Sequence, residues 1–292
     1  MPHIYYMEER ASLAESIRVR EPIVEGIFYP NDRQELEGDV KRLLSEANSQ
    51  FRIRRGAMAV ISPHAGYPYC GLFAGSAFAA AAGRDIDTVV ILAPVHREPE
   101  DAIYLTESAF FSTPIGRIPV AMDFVSALEG CSTRIFPNDI PHLEEHGIEV
   151  QLPFIQSEFP NAKIVPILMG RATQTNVRLL ARALDLTFGD CLSRTLFVVS
   201  SNLSSHAQGE AANDSMHQLI SLIERRDCED LLRSYHRKDI TACGSGCIAT
   251  ICSMSLPTGE VTLLSKTAPH SRTDDTGKII HYGAIAFYAN ED

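Results

Sequence analysis

The sequence predicts an α/β fold with a mixed, largely parallel sheet flanked by helices on both faces. Short apolar segments rich in β-branched residues, such as 88–94 (TVVILAP) and 195–201 (TLFVVSS), alternate with helical segments along the chain. This alternation is typical of parallel strands joined by crossover helices and buried on both faces. The chain has 292 residues, which is enough for one large α/β domain.

No low-complexity linker, internal repeat or long run of like charge divides the chain. We therefore predict a single domain over residues 1–292, with residues 1–55 as an N-terminal segment that wraps the sheet. The net charge is −11 and no block of Lys or Arg could follow a phosphate backbone, which argues against nucleic acid or an anionic membrane as the main partner. The polar N-terminus lacks a signal peptide, and the seven scattered cysteines suggest reduced thiols, so we expect a cytoplasmic protein.

The individual elements follow from local patterns. The apolar runs predict strands at 57–62, 88–94, 162–170, 195–201, 260–268 and 278–289, and a hairpin of 102–107 with 116–121 around the turn STPIG. The apolar periodicity predicts helices at 70–82, 142–158, 173–189, 210–226 and 228–235, and one that begins near residue 247. Pro160 and Gly189 are natural helix ends.

Polar side chains follow three of the buried strands. His64 comes after 57–62, His96 comes after 88–94, and the third strand is followed by Asn202, Ser204, Ser205 and His206. Ligands of open α/β sheets bind outside the carboxyl ends of the strands. We therefore expect these groups to meet at one edge of a cleft, although a lone histidine in a turn is more often an ordinary hydrogen-bonded residue.

The segment 242–247 (ACGSGC) places Cys243 just before a predicted helix, where N–H groups and the helix dipole stabilise a thiolate. Taken alone, the segment is better interpreted as a glycine-rich turn with a small buried thiol. Together with His64 and His96, Cys243 completes a His2Cys set that can bind a divalent metal. Thiolate and imidazole ligands suit iron, copper or zinc better than magnesium or calcium.

The segment 141–154 (PHLEEHGIEVQLPF) carries another candidate group. If it is helical, His142, His146 and Glu149 share one face. His146 could serve as a general acid or base, and Glu149 could orient it or a ligand histidine. The alternative is a solvated helix start, with Glu144 and Glu145 at the positive end of the dipole, and we prefer this alternative for His142.

Taken together, these segments resemble the Memo family, whose prokaryotic members are named AmmeMemoRadiSam system protein B. The resemblance extends from about residue 20 to residue 289. It rests on PHAGYPYCG, APVH, STPIG, EEHGIEVQLPF, VPILMG, VVSSNLSSH, ACGSGC and YGAIAF. It implies a fold similar to that of class III extradiol ring-cleaving dioxygenases, which use non-haem iron(II). It also implies metal ligands at His64, His96 and Cys243, with copper as well as iron associated with the family.

One motif departs from the family pattern, which is Ser-Ser-Asp, two residues, then His. Here Asn202 stands where the Asp is expected, and His206 lies one place further along, with Ser205 at the expected position. Asn202 cannot act as a base, although its amide can still donate a hydrogen bond to a metal-bound ligand. An acid/base pair that the resemblance implies is therefore altered in this chain.

Three functions remain open at this point. The first is a non-haem iron dioxygenase-like redox enzyme with an unidentified small-molecule substrate, using His146, Glu149, Asn202 and His206 around an iron(II) site, with copper or zinc as alternatives. The second is a zinc-type hydrolase at the same site. The third is a non-catalytic metal- or (phospho)peptide-binding protein, as eukaryotic relatives suggest. The family name further implies radical-SAM and AMMECR1-like partners.

Overall fold

The fold is taken from a computed structural model, which describes residues 18–97, 99–267 and 277–290. Residues 1–17 of the expected wrapping segment lie outside this range. The strands are β1 (Val19–Arg20), β2 (Ala59–Ser62), β3 (Thr88–Pro94), β4 (Ile103–Leu105), β5 (Phe110–Thr113), β6 (Gly116–Pro119), β7 (Ile135–Pro137), β8 (Lys163–Met169), β9 (Thr195–Ser200), β10 (Ser204–His206), β11 (Thr258–Lys266), β12 (Ile279–His281) and β13 (Gly283–Ala289).

Eight of these strands form one mixed sheet in the order β11-β13-β2-β9-β3-β8-β4-β7. The four central strands β2, β9, β3 and β8 are parallel. Antiparallel pairing occurs toward both edges, where β13 pairs with β2 and β11, and β4 pairs with β8. The predicted mixed α/β sheet is confirmed. Because β2, β9 and β3 are neighbours and parallel, their carboxyl ends meet at one edge.

The helices are α1 (Arg33–Gln50), α2 (Tyr67–Ala81), α3 (Met122–Glu129), α4 (Asp139–Glu144), α5 (Leu152–Glu158), α6 (Gln174–Phe188), α7 (Gly209–Glu224), α8 (Cys228–His236) and α9 (Ser245–Ser253). Short 3-10 helices span Glu149–Gln151 and Gly189–Arg194. Helix α2 packs on β2 and β13 and against α1, whereas α9 packs on β3 and β9 and against α6 and α8. Every helix in the described part of the chain is too short or too polar to cross a membrane.

Small residues let α2 approach α1 closely. A Cβ atom added at Gly75 would lie 2.8 Å from the carbonyl oxygen of Leu43, and one added at Gly71 would lie 2.7 Å from a methyl carbon of the same leucine. The sequence predicts a small-residue helix here, and this contact is the physical reason for it. The close packing brings α2, and with it the turn that contains His64, against the core.

The predicted hairpin is wrong in its first strand. The turn joins β5 to β6, whereas Ile103–Leu105 pairs with β8 and β7 in the main sheet. All three residues of β4 are buried, as expected for an inner strand covered on both faces. The apolar run at 102–107 therefore belongs to the core of the sheet, and the hairpin is formed by the next segment.

The predicted helix over 142–158 is also wrong, because the segment is divided into three parts. Helix α4 ends at Glu144, Glu145 has extended backbone angles (φ −100°, ψ 131°), and α5 begins only at Leu152, with a proline in its first turn. The carbonyl groups of His142 and Glu145 accept hydrogen bonds from Arg20. His142, His146 and Glu149 therefore do not share one helical face.

Candidate metal centre

His64 lies two residues beyond the end of β2 and is buried, with 7% of its surface exposed. Its Nδ1 atom lies 2.8 Å from the hydroxyl of Ser200, the last residue of the neighbouring strand β9. Its Nε2 atom lies 3.3 Å from the sulfur of Cys243. Two adjacent parallel strands therefore set the position and orientation of this imidazole.

The hydrogen bonds around Ser200 define the tautomer of His64. The Ser200 hydroxyl has one proton, which it donates to the carbonyl oxygen of Gly147 at 2.6 Å. It accepts from the amide of Gln151 at 3.1 Å. Nδ1 of His64 must therefore be a donor to Ser200, which leaves Nε2, on the side of Cys243, as the nitrogen available to a metal. Metal-binding histidines usually have this arrangement.

His96 follows β3 and is more exposed, with 34% of its side chain accessible. Its Nδ1 atom lies 2.8 Å from one carboxylate oxygen of Glu145, and its backbone N–H donates a very short hydrogen bond to the other oxygen. Because an ionised carboxylate only accepts hydrogen bonds, Nδ1 of His96 is again the donor and Nε2 is the nitrogen left for a ligand or metal. A carboxylate behind a ligand histidine is a common feature of metal sites.

Cys243 is positioned by hydrogen bonds of the main chain at residues 243 and 244. Its N–H donates to the side-chain oxygen of Asn202 at 2.9 Å, and the next N–H, that of Gly244, donates to Ser201 at 2.9 Å. A Cβ atom added at Gly244 would lie 2.6 Å from the side chain of Ser201, so only glycine fits this close approach. The residue that replaces the family's Asp thus acts here as an acceptor that positions the cysteine backbone.

The electrostatics of the cluster favour a thiolate. Burial alone would raise the pKa of Cys243, but the imidazoles of His64 and His96 hold it well below its usual value. Burial alone would lower the pKa of His96, but hydrogen bonds to Cys243 and Glu145 raise it to about 10. The hydrogen bonds and the charge of His96 in turn hold the pKa of Glu145 below its ordinary value in spite of burial. Without metal, a proton on His96 thus balances the thiolate.

The three predicted ligand residues fit a transition metal. One ligand atom from each of His64, His96 and Cys243 lies within 4.8 Å of the other two. Both Nδ1 atoms are occupied by outer partners, so both Nε2 atoms are available to a metal ion. Two imidazole nitrogens and one sulfur suit zinc, iron or copper, and they leave at least one coordination position open.

His146 is the third imidazole ring at the centre. Its ring centroid lies 5.5 Å from that of His64 and 5.5 Å from that of His96. Burial and the two neighbouring imidazoles lower its pKa to about 3. His146 is therefore neutral near pH 7 and can accept a hydrogen bond beside the candidate metal site.

Glu149 and His206 are not brought to this cluster. Glu149 is fully buried in an ion pair with Arg20. His206 lines a cavity of about 540 Å³ that shares Tyr235 and His236 with the cavity beside Cys243, and its Nδ1 accepts from the backbone N–H of Gln208. The catalytic roles predicted for these two residues stay predictions. His142 is buried, with its ring edge-on to that of Phe111.

Glu145 and Ser200 are the residues that the sequence analysis missed. The sequence predicts that Glu145 lies in a solvated helix start. In the structure it is only 4% exposed, and its carboxylate accepts two hydrogen bonds from His96. The sequence does offer a signal for Ser200, because this residue is the last one of the buried strand β9, which lies beside β2, the strand before His64. No comparable signal marks Glu145, because its role depends on the break between α4 and α5.

Two cavities flank the centre and share Val95. One, of about 320 Å³, reaches Glu145 and is lined by Arg97, Tyr104 and Glu144 among others. The other, of about 290 Å³, reaches Cys243 and is lined by residues that include Arg171, Tyr235 and His236. The second cavity gives a small molecule access to the thiolate side of the cluster.

Comparison with known proteins identifies the family of this chain. A sequence model of the Memo-like protein family matches residues 20–285. A MEMO1 family protein of Nitrosopumilus maritimus is 29% identical over 275 residues, covering 92% of this chain and 99% of the relative. Another, from Pyrobaculum aerophilum, is 30% identical over 280 residues, covering 93% of this chain and all of the relative. This chain therefore belongs to the family of Memo-like proteins.

Proposed function

We propose that the chain binds one divalent transition metal, preferably iron(II), through His64, His96 and Cys243. We further propose that it is a non-haem dioxygenase-like redox enzyme. The observation that carries the proposal is the orientation of the two imidazoles. The Nδ1 atoms donate to Ser200 and Glu145, so both Nε2 atoms converge on a sulfur whose pKa is lowered. This is the preorganised donor set that a metal site needs.

The residues around the ligands have distinct tasks in this proposal. A bound iron(II) would supply redox chemistry toward oxygen at its open positions. His146, neutral and next to both candidate ligand imidazoles, accepts a hydrogen bond from a substrate hydroxyl. Arg171 and His236 line the cavity on the Cys243 side and offer N–H donors to oxygen atoms of a small substrate.

A zinc-type hydrolase is a second candidate, and His146 is the observation that favours it. A neutral imidazole beside a metal site can accept a hydrogen bond from an attacking water and so orient it, and zinc suits the donor set. The two candidates differ in metal and in oxygen consumption. The radical-SAM and AMMECR1-like partners and the cytoplasmic location that the sequence suggested stay predictions.

The first experiment measures metal content per chain after anaerobic purification, by mass spectrometry, for the wild type, Cys243→Ala and Cys247→Ala. Cys247 is a matched control because it lines the same cavity but is buried beyond the cluster. We expect about one iron or copper per chain in the wild type and in Cys247→Ala, and none in Cys243→Ala.

The same measurement separates the alternatives. Stoichiometric zinc together with hydrolysis of ester or amide substrates would favour the hydrolase. Absence of metal in all three proteins, even after loading with iron(II), copper(I) or zinc, would contradict the metalloenzyme proposal. The cleft would then be tested as a binding site for a small molecule or a peptide.

A further inference from the structure

We infer that Arg20, through its ion pair with Glu149, is a positioning residue for the metal centre. It acts by holding the segment 142–149 that carries Glu145 and His146. The inference rests on the proposed metal site and adds to it a residue that lies outside the ligand set. Arg20 belongs to the two-residue strand β1, and only 1% of its surface is exposed.

The guanidinium of Arg20 binds the segment on both sides of the break in the helix. Nε donates to the carbonyl oxygen of His142 at 3.0 Å, and Nη2 donates to that of Glu145 at 2.7 Å. Nη1 makes the ion pair with the carboxylate of Glu149 and also donates to the carbonyl oxygen of Glu21 at 3.1 Å. A single planar group thus joins the end of α4, the extended residue after it and the 3-10 helix.

The carboxylate of Glu149 in turn binds the N-terminal segment. It accepts from the backbone N–H groups of Ile23 and Val24, both at 3.0 Å, and from the hydroxyl of Tyr29 at 2.6 Å. All of these donors lie within residues 20–29. The Arg20–Glu149 pair therefore joins two parts of the chain that are more than a hundred residues apart.

Three contacts of the metal centre depend on the segment that this pair holds. Glu145 binds Nδ1 and the backbone N–H of His96. His146 places its ring beside both ligand imidazoles, and Gly147 accepts the proton of Ser200, which orients His64. A shift of the segment would therefore disturb both ligand histidines at once.

An arginine at position 20 suits a positioning role better than a stabilising one. A buried ion pair is weak support for stability, because desolvation opposes the attraction of the two charges. Arginine, however, presents several N–H donors in a fixed planar arrangement, which a lysine ammonium cannot reproduce. Here that arrangement reaches three carbonyl groups, two of them in this segment, and one carboxylate, and this fixes the path of the main chain between them.

The test uses the full chain, cobalt(II) as the probe metal and three variants. Arg20→Met removes the guanidinium and leaves a buried, unpaired carboxylate. The double variant Arg20→Met/Glu149→Gln removes both charges while the glutamine oxygen can still accept from the N-terminal segment. Arg84→Met is the matched control, because Arg84 also donates to three backbone carbonyls but lies away from the cluster.

We expect the affinity for cobalt(II) to fall about tenfold or more in Arg20→Met and to remain reduced in the double variant, although the thermal midpoint recovers there. Hydrogen exchange of the metal-free protein should accelerate at residues 142–150 in both and stay unchanged in β3. Arg84→Met should lower the thermal midpoint and leave the affinity unchanged.

Recovery of cobalt(II) affinity together with stability in the double variant would overturn the inference, since a purely structural role predicts it. Unchanged exchange at 142–150 would also overturn it. Failure of the wild type to bind cobalt(II), iron(II) or zinc at all would instead contradict the proposed function. The exchange data would in that case still show whether the Arg20–Glu149 pair holds the segment.

Discussion

The two histidines of the candidate metal centre are held in different ways. His64 is buried, and its Nδ1 partner is a neutral hydroxyl at the end of an adjacent strand. His96 is about one third exposed, and its partner is an ionised carboxylate from the loop between α4 and the following 3-10 helix. One ligand is therefore placed by the sheet, and the other by a loop and a charge.

Because of this difference, changes around His64 should affect both fold stability and metal affinity, whereas changes around His96 should affect mainly metal affinity. The hydrogen bonds of His64 belong to a buried group that includes Ser200, Gln151 and the carbonyl oxygen of Gly147, so changes there disturb the core as well as the site. The contacts of His96 lie near the surface and mainly adjust charge. Variants around His64 and around His96 should therefore behave differently, and the largest effect is expected for the ligand histidines themselves.

Replacement of either ligand histidine should abolish stoichiometric metal binding, with an affinity loss greater than the ~10- to 100-fold expected for an outer partner. Only His64→Ala should also lower the thermal midpoint of the metal-free protein, because it leaves a cavity in the core and removes one of the hydrogen bonds of Ser200. Isothermal titration with cobalt(II) and thermal melts measure both. Equal melting of His64→Ala and His96→Ala would contradict the comparison.

Glu145→Gln should weaken metal binding about 10- to 100-fold with little loss of fold stability. The amide keeps the size of the side chain but removes the charge that raises the pKa of His96, so the imidazole becomes a weaker ligand. Glu144→Gln is the control, since this neighbouring side chain is exposed. Equal affinity of the two variants for cobalt(II) would show that the carboxylate of Glu145 has no role at the metal.

Ser200→Ala should show the opposite balance, with a loss of about 1–3 kcal/mol in unfolding free energy and a smaller effect on metal affinity than Glu145→Gln. The reason is that Gly147 loses its donor inside the core, while the surrounding protein still holds the ring of His64. Ser62→Ala is the control, because Ser62 pairs with Ser200 in the sheet and its hydroxyl has no partner among the described residues. Denaturant unfolding measures the difference.

The smallest effect concerns His142, which lies just before the break in the helix. Burial lowers its pKa to about 4 in the folded protein, below the value of about 6.5 in the unfolded chain. The unfolded state therefore binds more protons between these two values, and stability falls as pH falls. The loss from this residue is about 1 kcal/mol at pH 5.5. His142→Leu should flatten that part of the pH profile of unfolding, and an unchanged slope would contradict the assignment.

The parts of the molecule that could be predicted from sequence are those with a strong local pattern. The buried strands β2, β3 and β9 and the polar residues that follow them indicate the edge of the sheet at which the candidate site lies, because strand ends of a parallel sheet meet in space. The roles of Glu145 and Arg20 could not be predicted in this way. The helical periodicity of 142–158 continues across the break at Glu145, where the distant guanidinium of Arg20 binds the carbonyl groups of His142 and Glu145.

The role of Asn202 shows a second limit. From the sequence it is the loss of an acid in a family motif, and the expected consequence was a changed acid/base pair. In the structure its oxygen accepts the N–H of Cys243, a contact made by the backbone that does not depend on the side chain of residue 243. Sequence patterns identify which side chains are present, but backbone contacts of this kind depend on the folded chain.

The close approach of Gly244 to Ser201 has a consequence for how the metal preference of the candidate centre would change during evolution. The backbone on both sides of the cysteine sulfur is anchored by Asn202 and Ser201, whatever side chain residue 243 carries. The third ligand is therefore exchangeable on a fixed support, and Cys243→Asp would present a carboxylate from the same position. A single codon change can move such a site from soft, thiolate-preferring metals toward harder ones without a new fold.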